Sequence, residues 1–350
     1  MQLVLGIETS CDETAVGIVE LTEGSRGRYS FKIRANVLSS QIPLHAPYFG
    51  VVPELASRAH LEKMTGVLHA AIAAAGLKPD PAFLNKRLAT VAYTQGPGLK
   101  GALLVGESAG RALALALERP AMGVHHLEAH LAAILLEHPG LKPPFLGLII
   151  SGGHTDLVHV RRWGDYRVLG RTLDDACGEA FDKFSKMLQL GYPGGPIVDK
   201  MAKSGDPKKV PFPRPYLKNS WNFSFSGLKT SALYRLRDHG HPRTRKEKND
   251  LAASYQESIC ETLIFKAKKA LRVLNLDQLV VSGGVAANSR LRYLLAEEGR
   301  RGKFDVYFPS PSLCTDNGAM IAAAAALRFV SGAKPSAGPV DPTLPFPRWS

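Results

Sequence analysis

The stretch from His125 to His130 holds the side chains best suited to chemistry in this 350-residue sequence. His126 and His130 are four residues apart, and the apolar run at 131–136 that follows them predicts a helix. On a helix this spacing places both imidazoles on one face, one turn apart. Two such imidazoles are half of a metal site, although an isolated pair also occurs in cores and on surfaces. A third ligand elsewhere in the chain would decide between these interpretations.

Candidates for the third ligand lie just before the last helical pattern of the chain. Asp316 stands where an alanine-rich helix is predicted to begin, so its carboxylate is either a metal ligand or the N-cap of that helix. Cys314 is a competing soft ligand. The sequence leaves these possibilities open.

Two hairpins with polar tips open two halves of the chain. Each is a strand, a polar turn and a returning strand: 3–7, 8–14 and 15–19 in the first, and 145–150, 151–156 and 157–160 in the second. The repetition indicates a duplicated domain. The first tip suits a metal or phosphate contact, or is a plain surface turn. In the second, Gly152 and Gly153 let backbone N–H groups approach an anion, although glycine pairs are also common in hairpins.

Strands alternate with helical patterns elsewhere, which predicts an α/β fold with a parallel or mixed sheet. A helix at 53–76 carries small residues at 70–75 that suit close packing, either in the core or against another subunit. A strand at 279–281 leads into a glycine-rich turn that opens a helix, as in many nucleotide sites. This turn lacks the lysine of a Walker A loop. Asn288 within it either bonds a nucleotide or caps the helix.

The composition is that of a globular protein with a basic surplus. The chain is 45% hydrophobic and 21% charged, with a formal net charge of +13 and a pI of about 9.6. Such a surplus suggests a polyanionic partner, nucleic acid before a membrane surface, unless the protein is simply basic. Basic and aromatic residues alternate at 203–250, which suits RNA contact unless the rings are buried. The carboxylates at 174–182 are typical of a solvated helix face.

The remaining sequence features favour a cytoplasmic protein without a membrane anchor. The cysteines are scattered and form no C-x-x-C pair, which fits a reducing compartment and argues against a disulfide framework or zinc ribbon. The N-terminus has no basic region of the kind that begins a signal or transit peptide. No apolar run approaches the ~20 residues of a membrane span.

Six motifs in order along the chain resemble the TsaD family of tRNA N6-adenosine threonylcarbamoyltransferases, in its bacterial form. They are the segments 7–14, 126–130, 151–155, 178–183, 282–289 and 314–318. The resemblance implies an actin-like fold of the Hsp70 and sugar-kinase type (ASKHA), with two duplicated α/β domains around a nucleotide cleft. The expected domains are 1–123 with 318–345, and 124–317 with the basic insertion at about 203–250. One departure is Phe49, where the family usually has glycine.

The resemblance also implies the site residues. His126, His130 and Asp316 are expected to hold one divalent metal, Fe(II) or Zn(II), a ligand set that suits either. The substrate threonylcarbamoyl-AMP is expected at an adenine nucleotide site formed by Ile149, Ile150, Ser151, Gly152, Gly153, Asp182, Gly195, Asp199 and Asn288. Asp182 and Asp199 can accept hydrogen bonds from hydroxyls. Glu13 is a candidate for substrate positioning, and the sequence identifies no general base.

The implied reaction is metal-assisted transfer of the threonylcarbamoyl group to N6 of the adenosine 3′ of the anticodon, position 37. The product is N6-threonylcarbamoyladenosine on tRNAs that read codons starting with A. The expected partners are tRNA, a TsaB-like paralogue and a TsaE-like ATPase, and the helix at 53–76 is a candidate docking face for a partner. A metalloprotease, an old label for this family, is disfavoured because Leu127 stands where H-E-x-x-H proteases need glutamate. An ATPase or kinase of the same fold is an alternative, although phosphoryl transfer uses Mg²⁺, which prefers oxygen ligands. A non-catalytic subunit would be expected to lack the metal ligands.

Overall fold

The computed structural model describes residues 2–24, 29–333 and 337–349. The chain divides into two compact units: Met1–Lys142 with Thr315–Ser350, and Pro143–Cys314. The boundaries differ from the predicted ones at both joints. Residues 124–142 and 315–317 belong to the first unit, because the helix that carries the histidine pair packs against the last helix of the chain.

The first unit is an α/β layer around one five-stranded sheet. Its strands are β1 (Gln2–Glu8), β2 (Glu13–Glu23), β3 (Tyr29–Ser40), β4 (Leu88–Gly96) and β5 (Ala121–His125), in the order β3-β2-β1-β4-β5. Its helices are α1 (Ile42–His45), α2 (Pro53–Ala74), α3 (Pro81–Arg87), α4 (Lys100–Ala116), α5 (His126–Ala132) and α12 (Gly318–Val330). Short 3₁₀ turns at Ala46–Tyr48 and Ala133–Leu136 complete it.

The second unit has the same plan. Its strands are β6 (Phe145–Ile150), β7 (Thr155–Arg162), β8 (Asp165–Arg171), β9 (Gln278–Ser282) and β10 (Asp305–Tyr307), in the order β10-β9-β6-β7-β8. Its helices are α6 (Cys177–Met187), α7 (Gly194–Ala202), α8 (Ser226–His239), α9 (Arg245–Leu274), α10 (Ser289–Gly302) and α11 (Pro311–Cys314), with a 3₁₀ turn at Gly284–Ala287.

The two sheets have the same topology. In each, the first three strands form an antiparallel meander, and two later strands add in parallel on the other side of the first. Parallel neighbours need crossover connections, which helices supply in both units. The duplication predicted from the two polar-tipped hairpins is therefore confirmed.

Glycines set the position of α12 on the first sheet. A Cβ at Gly17 would collide with the backbone of Ala319, and one at Gly318 would collide with that of Gly17. The helix can therefore lie directly on β1 and β2, with its alanine-rich face wholly buried. This close approach fixes where the segment before α12 lies, and that segment includes Asp316.

The predicted basic insertion is mostly folded into the second unit. Phe212, Phe223 and Phe225 lie in its hydrophobic core, which is the alternative that the sequence left open for the aromatic rings. Tyr216 and Tyr234 remain exposed. None of the helices in the described part of the chain is both long and apolar enough to cross a membrane.

Phe49 has the left-handed backbone conformation, with φ 55°. It ends the turn Ala46–Tyr48, a position that glycine occupies without steric cost. The departure from the family pattern thus places a bulky residue in a conformation that usually selects glycine.

Candidate metal centre and nucleotide-binding turns

The histidine pair lies on α5, as its spacing predicts. Both side chains are buried, and their rings meet edge to face with centroids 4.7 Å apart. Asp316 Oδ1 lies 3.1 Å from Nε2 of His130 and 3.6 Å from Nε2 of His126. One ligand atom from each of the three residues lies within 4.8 Å of the others. The structure thus brings together the three residues that the sequence proposed as ligands.

The two alternatives for this segment are resolved by its hydrogen bonds. The N-cap of α12 is Asn317, whose side chain accepts a hydrogen bond of 3.0 Å from Met320 N, so the N-cap assignment of Asp316 was wrong by one residue. Among the described residues, the cluster consists of His126, His130 and Asp316 and does not include Cys314. Its sulfur lies 3.3 Å from the carbonyl oxygen of Pro309 and accepts a hydrogen bond from Arg292.

A buried carboxylate, Glu8, orients His126 from the side opposite Asp316. Glu8 Oε2 lies 3.1 Å from Nδ1 of His126 and accepts a 2.7 Å hydrogen bond from Thr94 Oγ1, while Oε1 accepts from Ser10 N. A carboxylate only accepts, so Nδ1 carries the proton and Nε2 is left for a metal. The sequence places Glu8 in the polar tip and does not show this role directly. Its signal was a carboxylate at the end of a buried strand.

The electrostatics of the cluster favour a cation. Burial lowers the pKa of His126, but the charges of Asp316 and Glu8 outweigh it and raise the pKa to about 9. Burial, together with the charges of Asp316 and Asp12, raises the pKa of Glu13 well above its ordinary value. His130 is wholly buried, and neither ring nitrogen makes a hydrogen bond within the described residues. A buried imidazole without hydrogen bonds, facing a carboxylate, fits a metal ligand.

The tip that carries Glu8 is tied down on several sides. His60 on α2 bonds Thr14 Oγ1 at 2.8 Å and the carbonyl oxygen of Cys11 at 3.1 Å. The backbone N–H of Gln41 donates to the carbonyl oxygen of Asp12 at 3.0 Å. The tip is therefore not a free surface turn. No local pattern could identify His60, because its partners lie far away along the chain.

Glu128 faces away from the cluster. It is wholly buried in an ion pair with Arg328 of α12, whose guanidinium also donates to the carbonyl oxygen of Gly123 at 2.9 Å. This glutamate cannot serve as the general base of a metalloprotease while it is held there.

The second unit presents glycine-rich backbone at three turns. In the turn after β6, Ser151 N donates to the carbonyl oxygen of His154 at 2.8 Å, and a Cβ at Gly152 or Gly153 would meet nothing within 4 Å. Gly195 in the first turn of α7 is similarly open. Gly283 has φ 90°, and a Cβ there would lie 2.5 Å from the carbonyl oxygen of Ile150. Two of these turns leave room for a ligand against the backbone, and the third allows β9 to approach β6 closely.

The predicted polar residues of this site organise the same turns. Asp182 accepts a 2.6 Å hydrogen bond from Gly194 N, and Asp199 accepts from the hydroxyl of Ser289 at 2.8 Å. Asn288 caps α10 by accepting from Leu291 N at 3.0 Å and donates to Gln256 at 2.7 Å. The cap that the sequence left open for Asn288 is therefore present.

A pocket of about 260 Å³ lies beside these residues in the second unit. Arg290 on its wall donates two hydrogen bonds of 2.7 Å to Glu257 and lies over the ring of Tyr293, 5.5 Å from its centroid. Ser289, which Asp199 holds, also lines the pocket. The predicted substrate residues do not line this pocket themselves, and Ser289 links it to Asp199.

Comparison with known proteins identifies the family. The model for TsaD, tRNA N6-adenosine threonylcarbamoyltransferase, matches residues 32–323. The chain belongs to this family. A tRNA N6-adenosine threonylcarbamoyltransferase of Endomicrobium trichonymphae is 48% identical over 92% of this chain and 91% of its own length. The one from Anaeromyxobacter sp. (strain Fw109-5) is 49% identical over 95% of this chain and 96% of its own.

More distant structures share the fold alone. HypF of T. kodakarensis aligns with a TM-score of 0.60 and 14% identity over 94% of this chain and 47% of its own. Component A of the (R)-2-hydroxyglutaryl-CoA dehydratase of Acidaminococcus fermentans aligns with a TM-score of 0.52 and 16% identity over 95% of this chain and all of its own. The actin-like fold class predicted from the sequence is confirmed.

Proposed function

We propose that this protein transfers the threonylcarbamoyl group of threonylcarbamoyl-AMP to N6 of adenosine 37 in tRNAs that read codons starting with A. Family membership and the two relatives at 48% and 49% identity support the reaction. The observation that carries it is the convergence of His126, His130 and Asp316 on one point of a TsaD-family chain.

The cluster fits one divalent ion, Fe(II) or Zn(II), held by these three residues. Two imidazoles and a carboxylate are a donor set that both metals accept, and Glu8 supplies the carboxylate partner that metal-bound histidines usually have. A bound ion would supply Lewis-acid polarisation of a carbonyl or phosphate oxygen. Within the protein, Glu8 keeps the proton of His126 on Nδ1, away from the metal-facing nitrogen.

The nucleotide part of the substrate is proposed to bind the second unit at 149–153, with Asp182, Gly195, Asp199 and Asn288. The open glycines would let backbone N–H groups reach phosphate oxygens, as in other nucleotide sites. Asp199 bonds Ser289 through Oδ1, so its other oxygen can accept from a ribose hydroxyl.

In the proposed transfer, the N6 amine attacks the carbamoyl carbon. The bond from that carbon to the phosphate oxygen breaks, AMP leaves with the electron pair, and N6 loses a proton. Glu13 is proposed to position the substrate. The raised pKa of this half-buried carboxyl lets it hold a proton and donate a hydrogen bond to a substrate oxygen.

The partners are proposed to be tRNA, a TsaB-like paralogue and a TsaE-like ATPase. Exposed Arg243, Arg245 and Lys246 at the start of α9 are proposed to contact tRNA phosphates. The helix α2 is proposed as the docking face for a protein partner.

The test is nucleoside analysis of tRNA after incubation with the protein, its partners and threonylcarbamoyl-AMP. We expect N6-threonylcarbamoyladenosine with the wild type and almost none with His126→Ala. His138→Ala, the same change at an exposed histidine outside the cluster and outside the proposed substrate residues, serves as the control. A wild type that leaves adenosine 37 unmodified while binding both metal and AMP would refute the proposal.

A further inference from the structure

The C-terminal segment 337–349 lies against the same elements that hold the metal cluster. Asp341 N donates to the carbonyl oxygen of Gln95 at 2.9 Å, and Gly98 N donates to that of Pro342 at 3.3 Å. Backbone contact is close here, because a Cβ at Gly96 would collide with the carbonyl oxygen of Asp341. The segment thus packs on the end of β4, one residue beyond the Thr94 that bonds Glu8.

The segment also fixes the residue that begins the metal-binding helix. His125 is the N-cap of α5, and its Nδ1 accepts a 3.3 Å hydrogen bond from Glu128 N. Nδ1 must therefore be unprotonated, so Nε2 carries the proton and donates to the carbonyl oxygen of Leu344 at 3.0 Å. Phe346 stacks on the same ring, with centroids 4.6 Å apart. The tail selects both the tautomer and the ring plane that the cap needs.

A third contact reaches α5 through α12. The guanidinium of Arg328 lies 5.8 Å from the centre of the Trp349 ring, and Arg328 is the partner of Glu128. The tail therefore contacts α5 at its cap and, through one intervening ion pair, at its first turn. His126 is the first residue of this helix, so its side-chain direction depends on both contacts.

We propose that residues 337–349 are a positioning element of the metal centre, acting through His125 on the orientation of His126. This inference rests on the metal centre of the proposed function. Outer partners of metal-bound histidines typically change metal affinity by 10–100-fold when they are altered. The tail acts one residue further out, so we expect the lower end, roughly tenfold weaker binding.

The experiment measures Zn(II) affinity of the full chain by competition with a chromophoric chelator, alongside the melting temperature of the metal-free protein. Phe346→Ala should weaken Zn(II) binding about tenfold. Phe346→Tyr keeps a ring that stacks on His125 and should bind Zn(II) with the affinity of the wild type. Phe329→Ala is the control: the same change at a residue of α12 that is 37% exposed.

A second variant separates positioning from folding. His125→Asn keeps a capping side chain but loses the ring that Phe346 and Leu344 hold. The double variant combines Phe346→Ala with His125→Asn. If residues 337–349 act through the His125 ring, the two losses of Zn(II) affinity should not add, and the double variant should match the single variant with the lower affinity. Phe346→Ala with unchanged Zn(II) affinity but a lower melting temperature would overturn this inference and leave the metal centre standing. Additive losses of Zn(II) affinity in the double variant would do the same. A wild type that binds no Zn(II) would overturn the metal centre as well.

Discussion

Replacing Glu8 by glutamine tests whether a buried carboxylate holds His126 ready for metal. Three donors converge on Glu8: Ser10 N–H, Thr94 Oγ1–H and His126 Nδ1–H. Glutamine offers one acceptor oxygen and one NH₂ group, so the NH₂ must face at least one of these donors. If it faced Ser10 N–H, two donors would oppose each other, at a cost of about 1–3 kcal/mol.

The better orientation places the NH₂ towards Thr94 and His126. Thr94 can turn its proton towards the carbonyl oxygen of Ile7, 3.4 Å away. His126 then keeps its Nδ1 proton only through the longer contact with Ser10 Oγ, 3.3 Å away. Where it instead accepts from the NH₂ group at Nδ1, its proton moves to Nε2, the nitrogen that faces Asp316. Metal binding must then reverse the tautomer, and we expect a 10–100-fold loss of affinity, or about 1.4–2.7 kcal/mol.

The assay is Zn(II) competition against a chelator from pH 7 to 9. In the wild type, burial lowers the pKa of His126 but Asp316 and Glu8 raise it to about 9, so a proton competes with the metal and affinity rises with pH. Glu8→Gln weakens that competition, and its deficit should therefore be largest near pH 9. Asp156→Asn is the control, since it makes the same carboxylate-to-amide change at a buried residue of the second unit. Affinity of Glu8→Gln within twofold of wild type at pH 9 would refute the reasoning.

Three further predictions follow from the same structure. Asp316→Asn should lose most bound metal and nearly all transfer activity, while the stability of α12 is unchanged because Asn317 caps this helix. Full metal content and full activity, measured on the same sample of the variant, would contradict this. Burial outweighs the charge of Arg171 and raises the pKa of Asp156 from 3.8 to about 6. At about 1.36 kcal/mol per pKa unit, Asp156→Asn should therefore be more stable than the wild type at pH 7 by up to ~3 kcal/mol. The folded state binds the extra proton between these values, so the wild type should lose stability as pH rises from 4 to 6 and the variant should not, as denaturant titrations would show. Three exposed basic residues lie at the start of α9: Arg243, Arg245 and Lys246. Replacing them by glutamate should weaken tRNA binding and reduce the slope of log affinity against log salt concentration by ~0.7 for each lost phosphate contact. An unchanged slope would exclude these residues from the tRNA interface.

The sequence by itself determined the features that depend on short-range geometry. The spacing of His126 and His130 fixes their common face once the segment is a helix, whatever the rest of the chain does. The two polar-tipped hairpins likewise indicated a duplication, because alternating strands and a tight turn are local patterns. The two sheets share one strand order, which confirms the duplication, although the hairpins themselves account only for the antiparallel strands.

Only the tertiary structure decided which of several competent side chains takes each role. Asp316 and Asn317 both suit an N-cap, and the choice depends on how α12 is held against Gly17. Glu8 became the partner of His126 because two strands and a helix end meet there, 118 positions apart in the chain. The burial of Phe223 among basic neighbours depends on a core that no local pattern reveals. Capping, pairing and burial are settled by competition between distant groups for the same donors and the same apolar space, and that competition exists only in the folded chain.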